Sequence, residues 1–150
     1  MASAENIQIM HRWFEEVWNQ GRTETIYELL AAHAVARGQE GAEAELHGPQ
    51  EFETFVTKIR SAFPNIKVNI EDIFGVDDKV VIRWSATMTH AGQGLGVPAT
   101  GKPVRSRGIS IARIESGKIM EGWDNWDQLG MWQQVGAFEV PDTATLAKTA

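Results

Sequence analysis

The spacing of apolar residues changes about halfway along the chain, from a helical period to a period of two. In the first half, apolar positions recur every three or four residues, which predicts amphipathic helices. Three helices follow from this pattern, over residues 4–18, 24–33 and 48–63. Gly48 and Pro49 open the third helix and Pro64 ends it, as expected for proline at either side of a helix.

Residues 34–47 lack a clear period and are predicted to form a loop, with a short strand over 34–37. From residue 66 onward apolar and polar residues alternate, which predicts four strands, over 66–74, 79–90, 104–114 and 118–126. A short helix is predicted within 127–137. This order indicates an α+β fold in which a curved antiparallel sheet wraps around three N-terminal helices. We expect a single domain over 1–150, with its core at 5–136 and a C-terminal tail at 137–150.

The amino-acid composition excludes several classes of function. With 43% apolar and 23% charged residues the chain has the profile of a globular domain. A net charge of -6, without a cluster of basic residues, argues against a nucleic-acid partner. The chain has no cysteine, which excludes disulfides and thiolate chemistry. No apolar run is long enough to cross a membrane, so we expect a cytoplasmic protein with no membrane partner.

The last two predicted strands place one carboxylate on a face of small side chains. A three-residue turn at 115–117 would pair Ile114 with Lys118, which sets Gly108 opposite Asp124 and Ser110 opposite Gly122. Alternation then gives one shared face, made of Ser106, Gly108, Ser110, Ala112, Met120, Gly122, Asp124 and Trp126. Small residues facing bulky helix side chains are typical of a cavity wall, so Asp124 is predicted to point into a cavity.

Asp124 has two interpretations on this pattern. A carboxylate in an apolar cavity can act as a base, and it can equally be a structural hydrogen-bonded group at a strand end. Asp127 is different, because it directly precedes the closing helix and is predicted to cap it.

Other residues are weaker candidates for the cavity. Trp18, Trp84 and Trp126 offer flat apolar surface to a ring-shaped ligand, although core packing would also explain each of them. Phe55 on the third helix extends this apolar wall, and His90 at a strand end could reach the cavity mouth. The histidines do not have metal-ligand spacing, so no metal site is predicted.

The opposite face of the same two strands mixes apolar and charged residues: Arg107, Ile109, Ile111, Arg113, Ile119, Glu121 and Trp123. Isoleucine and tryptophan on an outer sheet face indicate that a partner subunit covers this face. We therefore predict a homodimer formed through this face.

Three segments together carry a resemblance to a known family: "WNQGRTETIYELL", "GPQEFETFVTKIRSAFPNIKV" and the run from "THAGQGLGVPATGK" to "GWDNWDQLGMWQQVG". Over about residues 5–136 the chain resembles the SnoaL-like polyketide cyclases. These share a cone-shaped α+β fold with nuclear transport factor and the ketosteroid isomerases.

The resemblance implies an aspartate that acts as acid/base in the aldol ring closure of an aromatic polyketide ester, without metal or cofactor. That aspartate falls at Asp124. A helping glutamine and histidine of the cyclases fall at Gly108 and Ser110, and an asparagine falls near Ala36 and Arg37, so the helping groups are missing or changed. Arg37, Ser110 or a tryptophan N–H would have to replace them.

Three functions remain open on the sequence. The leading hypothesis is a cofactor-independent cyclase or isomerase in which Asp124 removes a proton next to a carbonyl of a flat apolar or aromatic substrate. The second is an epoxide hydrolase of the limonene type, which would need a second carboxylate and an arginine beside Asp124. The third is a small-molecule-binding protein without catalysis.

Overall fold

A computed structural model describes residues 2–138 of the chain. It contains four α-helices and a six-stranded sheet. The helices are α1 (Ala2–Arg12), α2 (Glu24–Leu29), α3 (Gly48–Ala62) and α4 (Gln128–Gln134). The strands are β1 (Leu30–Arg37), β2 (Glu45–His47), β3 (Lys67–Val76), β4 (Lys79–Thr89), β5 (Pro103–Glu115) and β6 (Lys118–Trp126). The predicted tail lies mostly outside the described residues.

The first predicted helix is present but changes type. After α1 the chain continues as a π-helical segment over Trp13–Asn19. A π-helix has a wider turn than an α-helix and is frequent at functional sites. In this segment Trp13, Phe14 and Val17 are buried, so the wider turn directs bulky side chains into the interior.

The second predicted helix is too long, and its last four residues belong to a strand. The chain leaves α2 at Leu29 and enters β1 at Leu30. Leucine and alanine favour helices, but here β1 pairs with both β2 and β6. Tertiary pairing therefore outweighs local propensity, and the expected loop at 34–47 contains part of β1 and all of β2.

The α+β fold is confirmed, with one additional strand, β2, and with β1 longer than the short strand expected over 34–37. The strand order is β2-β1-β6-β5-β4-β3. The predicted meander of β3 to β6 is antiparallel throughout, whereas β1 lies parallel to β6. A register shift in β3 and another in β5–β6 are irregularities of the kind that bend a sheet, and the curved sheet packs around the helices.

The register of the β5–β6 hairpin differs from the prediction by two residues. Glu115 pairs with Lys118 across a two-residue turn, in which Ser116 and Gly117 both have positive φ. A bulge follows immediately, so Ser110 faces Asp124 and Gly108 faces Trp126. The shorter turn and the bulge each shift the register by one residue, and the two shifts together keep Asp124 on its predicted face.

The interior between sheet and helices holds the largest buried side chains. Phe63 and Ile26 from the helical side and Ile82 and Val80 from β4 are fully buried. Within residues 2–138, no helix has the length and apolar character needed to span a membrane.

Candidate active site

A cavity of about 640 Å³ of empty space, including its open mouth, lies between the sheet and the helices. We call it the outer cavity. The helical side contributes Trp13, Phe14, Trp18, Phe52, Phe55, Ile59, Phe63 and Ile66. The remaining wall is formed by Gln39, Val68, Trp84, Ala86, Met88, Ser106, Ser110, Asp124, Trp126 and Met131.

Four aromatic rings form one wall of the outer cavity. Phe52 of α3 packs edge-on against Trp13, with ring centroids 5.0 Å apart, and against Trp18 at 6.4 Å. Phe55 also packs edge-on against Trp18, at 5.9 Å, and against Phe52, at 6.0 Å. Edge-to-face packing holds these rings rigidly, so the wall presents a fixed apolar surface suited to a flat ligand.

Asp124 is the carboxylate of this cavity, and both of its oxygens accept hydrogen bonds. The Ser110 hydroxyl donates to Oδ1, and the Gln39 side-chain amide donates to Oδ2 through Nε2. Trp84 Nε1 donates to Ser110 Oγ at 3.0 Å. The chain from Trp84 through Ser110 to Asp124 fixes the direction of the carboxylate, since each member is held by the next.

Gln39 is a site residue that the sequence analysis missed. It is 4% exposed and lies two residues after the end of β1, where Trp126 Nε1 donates to its carbonyl oxygen at 3.0 Å. Gly38 makes this approach feasible, because its φ is +89° and a Cβ there would overlap the Asp124 carbonyl oxygen. The one signal in the sequence was the family's amide near Ala36, a few residues from the amide found here.

Burial raises the pKa of Asp124 from 3.8 to about 6, and hydrogen bonds from Ser110 and Gln39 oppose part of that rise. Residue Asp124 as a whole is only partly buried, but its carboxyl group lies on the wall of the apolar cavity. A carboxylate with a pKa of about 6 is mostly ionised at pH 7, and it is a much stronger base than an ordinary aspartate.

Five of the predicted ligand-contacting residues line the outer cavity: Trp18, Phe55, Trp84, Ser110 and Trp126. Gly108 is not part of the lining. A Cβ at Gly108 would lie 2.6 Å from Trp84 and 2.7 Å from Trp126, so the glycine leaves room for the two indoles to converge. Its role is therefore to admit the tryptophans to the wall.

Arg37 does not reach the cavity, which corrects that expectation. Its Nη1 lies 2.9 Å from Glu121 Oε2 on the opposite face of the sheet. The guanidinium also lies over the Trp123 ring, 5.6 Å from its centroid. β1 pairs in parallel with β6, and this pairing places Arg37 beside Trp123, one residue out of phase with Asp124.

His90 also lies away from the cavity lining, against expectation. It is fully buried, and its Nδ1 accepts the Thr100 N–H at 3.3 Å and contacts Thr100 Oγ1 at 3.0 Å. The imidazole therefore ties the two ends of the loop between β4 and β5 together. The same loop is fixed to the end of α3, where Ala62 O accepts the N–H groups of Ala91 and Gly92.

Asp127 caps α4, as predicted. Its Oδ1 accepts the Gly130 N–H at 2.8 Å. In the outer cavity, as far as the structure describes its lining, Asp124 is the sole carboxylate and arginine is absent. The arrangement of two carboxylates and an arginine that epoxide hydrolysis would need is therefore not assembled around Asp124. Within residues 2–138, there is no group of three or more His, Asp or Glu side chains that could hold a metal ion.

The fold and site define a class: a curved sheet around helices, enclosing an apolar cavity with one inward carboxylate. Residues 8–135 match the SnoaL-like polyketide cyclase family, and the chain belongs to that family. A relative at 30% identity is the aklanonic acid methyl ester cyclase DnrD of Streptomyces peucetius, aligned over 81% of this chain and 84% of the relative.

Solved structures share the fold. A Jannaschia sp. CCS1 protein assigned to the SnoaL-like polyketide cyclases superimposes with a TM-score of 0.83 at 21% identity, covering 92% of this chain and 96% of that one. A Catenulispora acidiphila protein with a ketosteroid isomerase-like fold has a TM-score of 0.73 at 17% identity, covering 89% and 98%. These two similarities confirm the predicted fold class.

Proposed function

We propose that the protein catalyses an intramolecular aldol ring closure of an aromatic polyketide ester, with Asp124 as the acid/base. The observation that carries the proposal is the position of Asp124, an oriented carboxylate on the wall of an apolar cavity with its pKa raised to about 6. Membership of the polyketide cyclase family supports the reaction class.

The reaction balances with the groups of this site. The Asp124 carboxylate removes a proton from a carbon next to a carbonyl, which leaves an enolate on the substrate. The enolate carbon attacks a second carbonyl of the same molecule, forming a carbon–carbon bond and an alkoxide. The alkoxide takes the proton back from Asp124, so the carboxylate is regenerated, and no redox partner is needed.

The surrounding groups favour this chemistry for separate reasons. Ser110 and Gln39 hold both carboxylate oxygens, so Asp124 meets the substrate in one orientation. The aromatic wall of Trp13, Trp18 and Phe52 would stack against a fused-ring substrate and exclude water from the enolate. Gln39 and Ser110, with Trp84 holding Ser110, thus supply the polar contacts to Asp124 that Arg37 does not.

The test is turnover of aklanonic acid methyl ester, the compound in the relative's name, followed by chromatographic separation of the isomeric product. Wild type should form the cyclised product, and Asp124→Asn should lose at least about a hundredfold in rate, the usual contribution of a positioned base. Asp127→Asn is the matched control, because it makes the same change three residues away, outside the cavity lining. Equal rates for wild type and Asp124→Asn would refute the assignment.

A non-catalytic binding protein is the second candidate, favoured by the absence of the family's glutamine at Gly108. Under that alternative the ester binds and is recovered unchanged by both wild type and Asp124→Asn. Native mass spectrometry of the complex, combined with the product assay, separates the two functions.

We also propose that the protein is a homodimer through the outer face of the sheet. Three apolar side chains of that face are about half exposed or more: Phe74, Val76 and Ile109. A second copy that covers them would remove this apolar surface from water.

A further inference from the structure

A second cavity adjoins the outer cavity and extends the site beyond Asp124. It has about 400 Å³ of empty space, and we call it the inner cavity. It is bounded by Met10, Trp13, Phe14, Leu30, Ala36, Gln39, Phe52, Ser110, Ile111, Ala112, Ile119, Gly122 and Asp124. Six of these residues also line the outer cavity: Trp13, Phe14, Gln39, Phe52, Ser110 and Asp124.

The alternation of β6 explains why Asp124 lies between the two cavities. Trp126, Asp124 and Gly122 share one face of the strand at intervals of two residues, about 7 Å apart. Trp126 lines only the outer cavity and Gly122 only the inner one, whereas Asp124 lines both. A ligand held against Asp124 would therefore have space on either side of the reacting carbon.

Small side chains create the inner cavity. Ala36 and Ala112 are buried, and Gly122 adds no side chain at all. A Cβ built on Gly122 would have Ala36 Cβ as its nearest neighbour, at 3.9 Å, so the space beside this glycine is large enough for an added methyl group. The other apolar walls come from α1, the π-helical segment, β1, α3, β5 and β6.

A buried acceptor stands at the junction of the two cavities. Gln39 gives its Nε2 to Asp124, which leaves Oε1 as an acceptor, and within the described residues Oε1 has no hydrogen-bond partner. Buried carbonyl oxygens are nearly always paired, since an unpaired one costs free energy. Together with Ser110 and Asp124, Gln39 forms the polar part of the wall that the two cavities share.

We propose that the inner cavity is a second ligand subsite, which takes a short aliphatic substituent of the ligand while the ring system occupies the outer cavity. The inference rests on the proposed function only in assuming that one ligand reaches both cavities. It adds to the proposed substrate a short alkyl branch that lies beside Ala36, Ala112 and Gly122.

The experiment uses probes that cannot undergo the aldol reaction: 2-hydroxyanthraquinone and its 3-methyl, 3-ethyl and 3-propyl derivatives. Binding is followed by quenching of tryptophan fluorescence, since four tryptophans line the outer cavity. Each added carbon should tighten binding to wild type about fourfold, the effect of burying one methylene group.

A matched pair of variants locates the alkyl group. Ala112 and Ala86 are both buried strand residues, but Ala112 lines only the inner cavity and Ala86 only the outer one. Ala112→Val should remove the gain per carbon and leave 2-hydroxyanthraquinone binding within about twofold. Ala86→Val should weaken every probe and keep the gain per carbon.

Gly122→Ala also reduces the inner cavity, by a smaller volume. It replaces Ala112→Val in the experiment if circular dichroism shows that Ala112→Val does not fold. The proposal is overturned if the alkyl series shows no gain in wild type, or if the gain persists in whichever inner-cavity variants fold. None of these results depends on turnover. The subsite can therefore be refuted while the acid/base function of Asp124 stands, and the acid/base function can be refuted while the subsite stands.

Discussion

Replacing the site carboxylate should make the folded protein more stable at neutral pH. Burial raises the pKa of Asp124 from 3.8 to about 6, so the folded state holds a proton there more tightly than the unfolded chain does. The protonated carboxyl group is therefore tolerated in the fold below about pH 4. The folded state loses stability as the pH rises through about 6 and the group becomes charged. A shift of about two pKa units corresponds to roughly 3 kcal/mol.

Asp124→Asn removes this titration, because an amide is neutral at all pH values and can still accept the hydrogen bond from Gln39. The free energy of unfolding of the variant minus that of wild type should therefore increase by about 3 kcal/mol between pH 3.5 and pH 7.5. Any fixed packing difference between the two side chains cancels in this comparison.

Urea unfolding followed by tryptophan fluorescence at several pH values measures the difference directly. Asp127→Asn is the control, and its difference from wild type should not show this rise. A stability difference for Asp124→Asn that stays flat with pH, or that decreases as pH rises, would show that the carboxyl group is not desolvated in the folded state.

Four further outcomes follow. With Asp124 as the base, kcat/KM should rise about tenfold per pH unit below pH 6 and level off above it, as a pH–rate profile would show. Asp127→Ala should cost about 1 kcal/mol in urea unfolding, from loss of the α4 cap, with unchanged turnover. Gly108→Ala should cost about 1–3 kcal/mol, because its Cβ would meet two tryptophans at under 3 Å. Light scattering should give a dimer for wild type and a larger monomer fraction for Ile109→Glu.

The face on which Asp124 lies could be predicted because side chains along a strand alternate between two faces. A register error of two residues therefore leaves each side chain on the same face. The three-residue turn expected at 115–117 was wrong, and so was the pairing of Gly108 with Asp124. A two-residue turn and a bulge shifted the register without moving Asp124 to the other face. Periodicity therefore identified the inward carboxylate, although neither turn type nor bulge could be read from it.

The partners of Asp124 were harder to predict because they come from tertiary pairing. β1 begins inside a segment of good helix formers, so its parallel pairing with β6 was not visible in the local pattern. That pairing carries Arg37 to the outer face and delivers Gln39 to the carboxylate. The asparagine that the family places near Ala36 was the only indication of this part of the site.

The most direct test of the account is proton abstraction itself. Aklanonic acid methyl ester in deuterated buffer at pD 7.5 can be followed by proton NMR for loss of the hydrogens next to its carbonyl groups. Wild type and Asp127→Asn should both exchange or consume these hydrogens far faster than buffer alone, and Asp124→Asn should be close to the buffer rate. Exchange by Asp124→Asn at the wild-type rate would contradict the claim that Asp124 is the base.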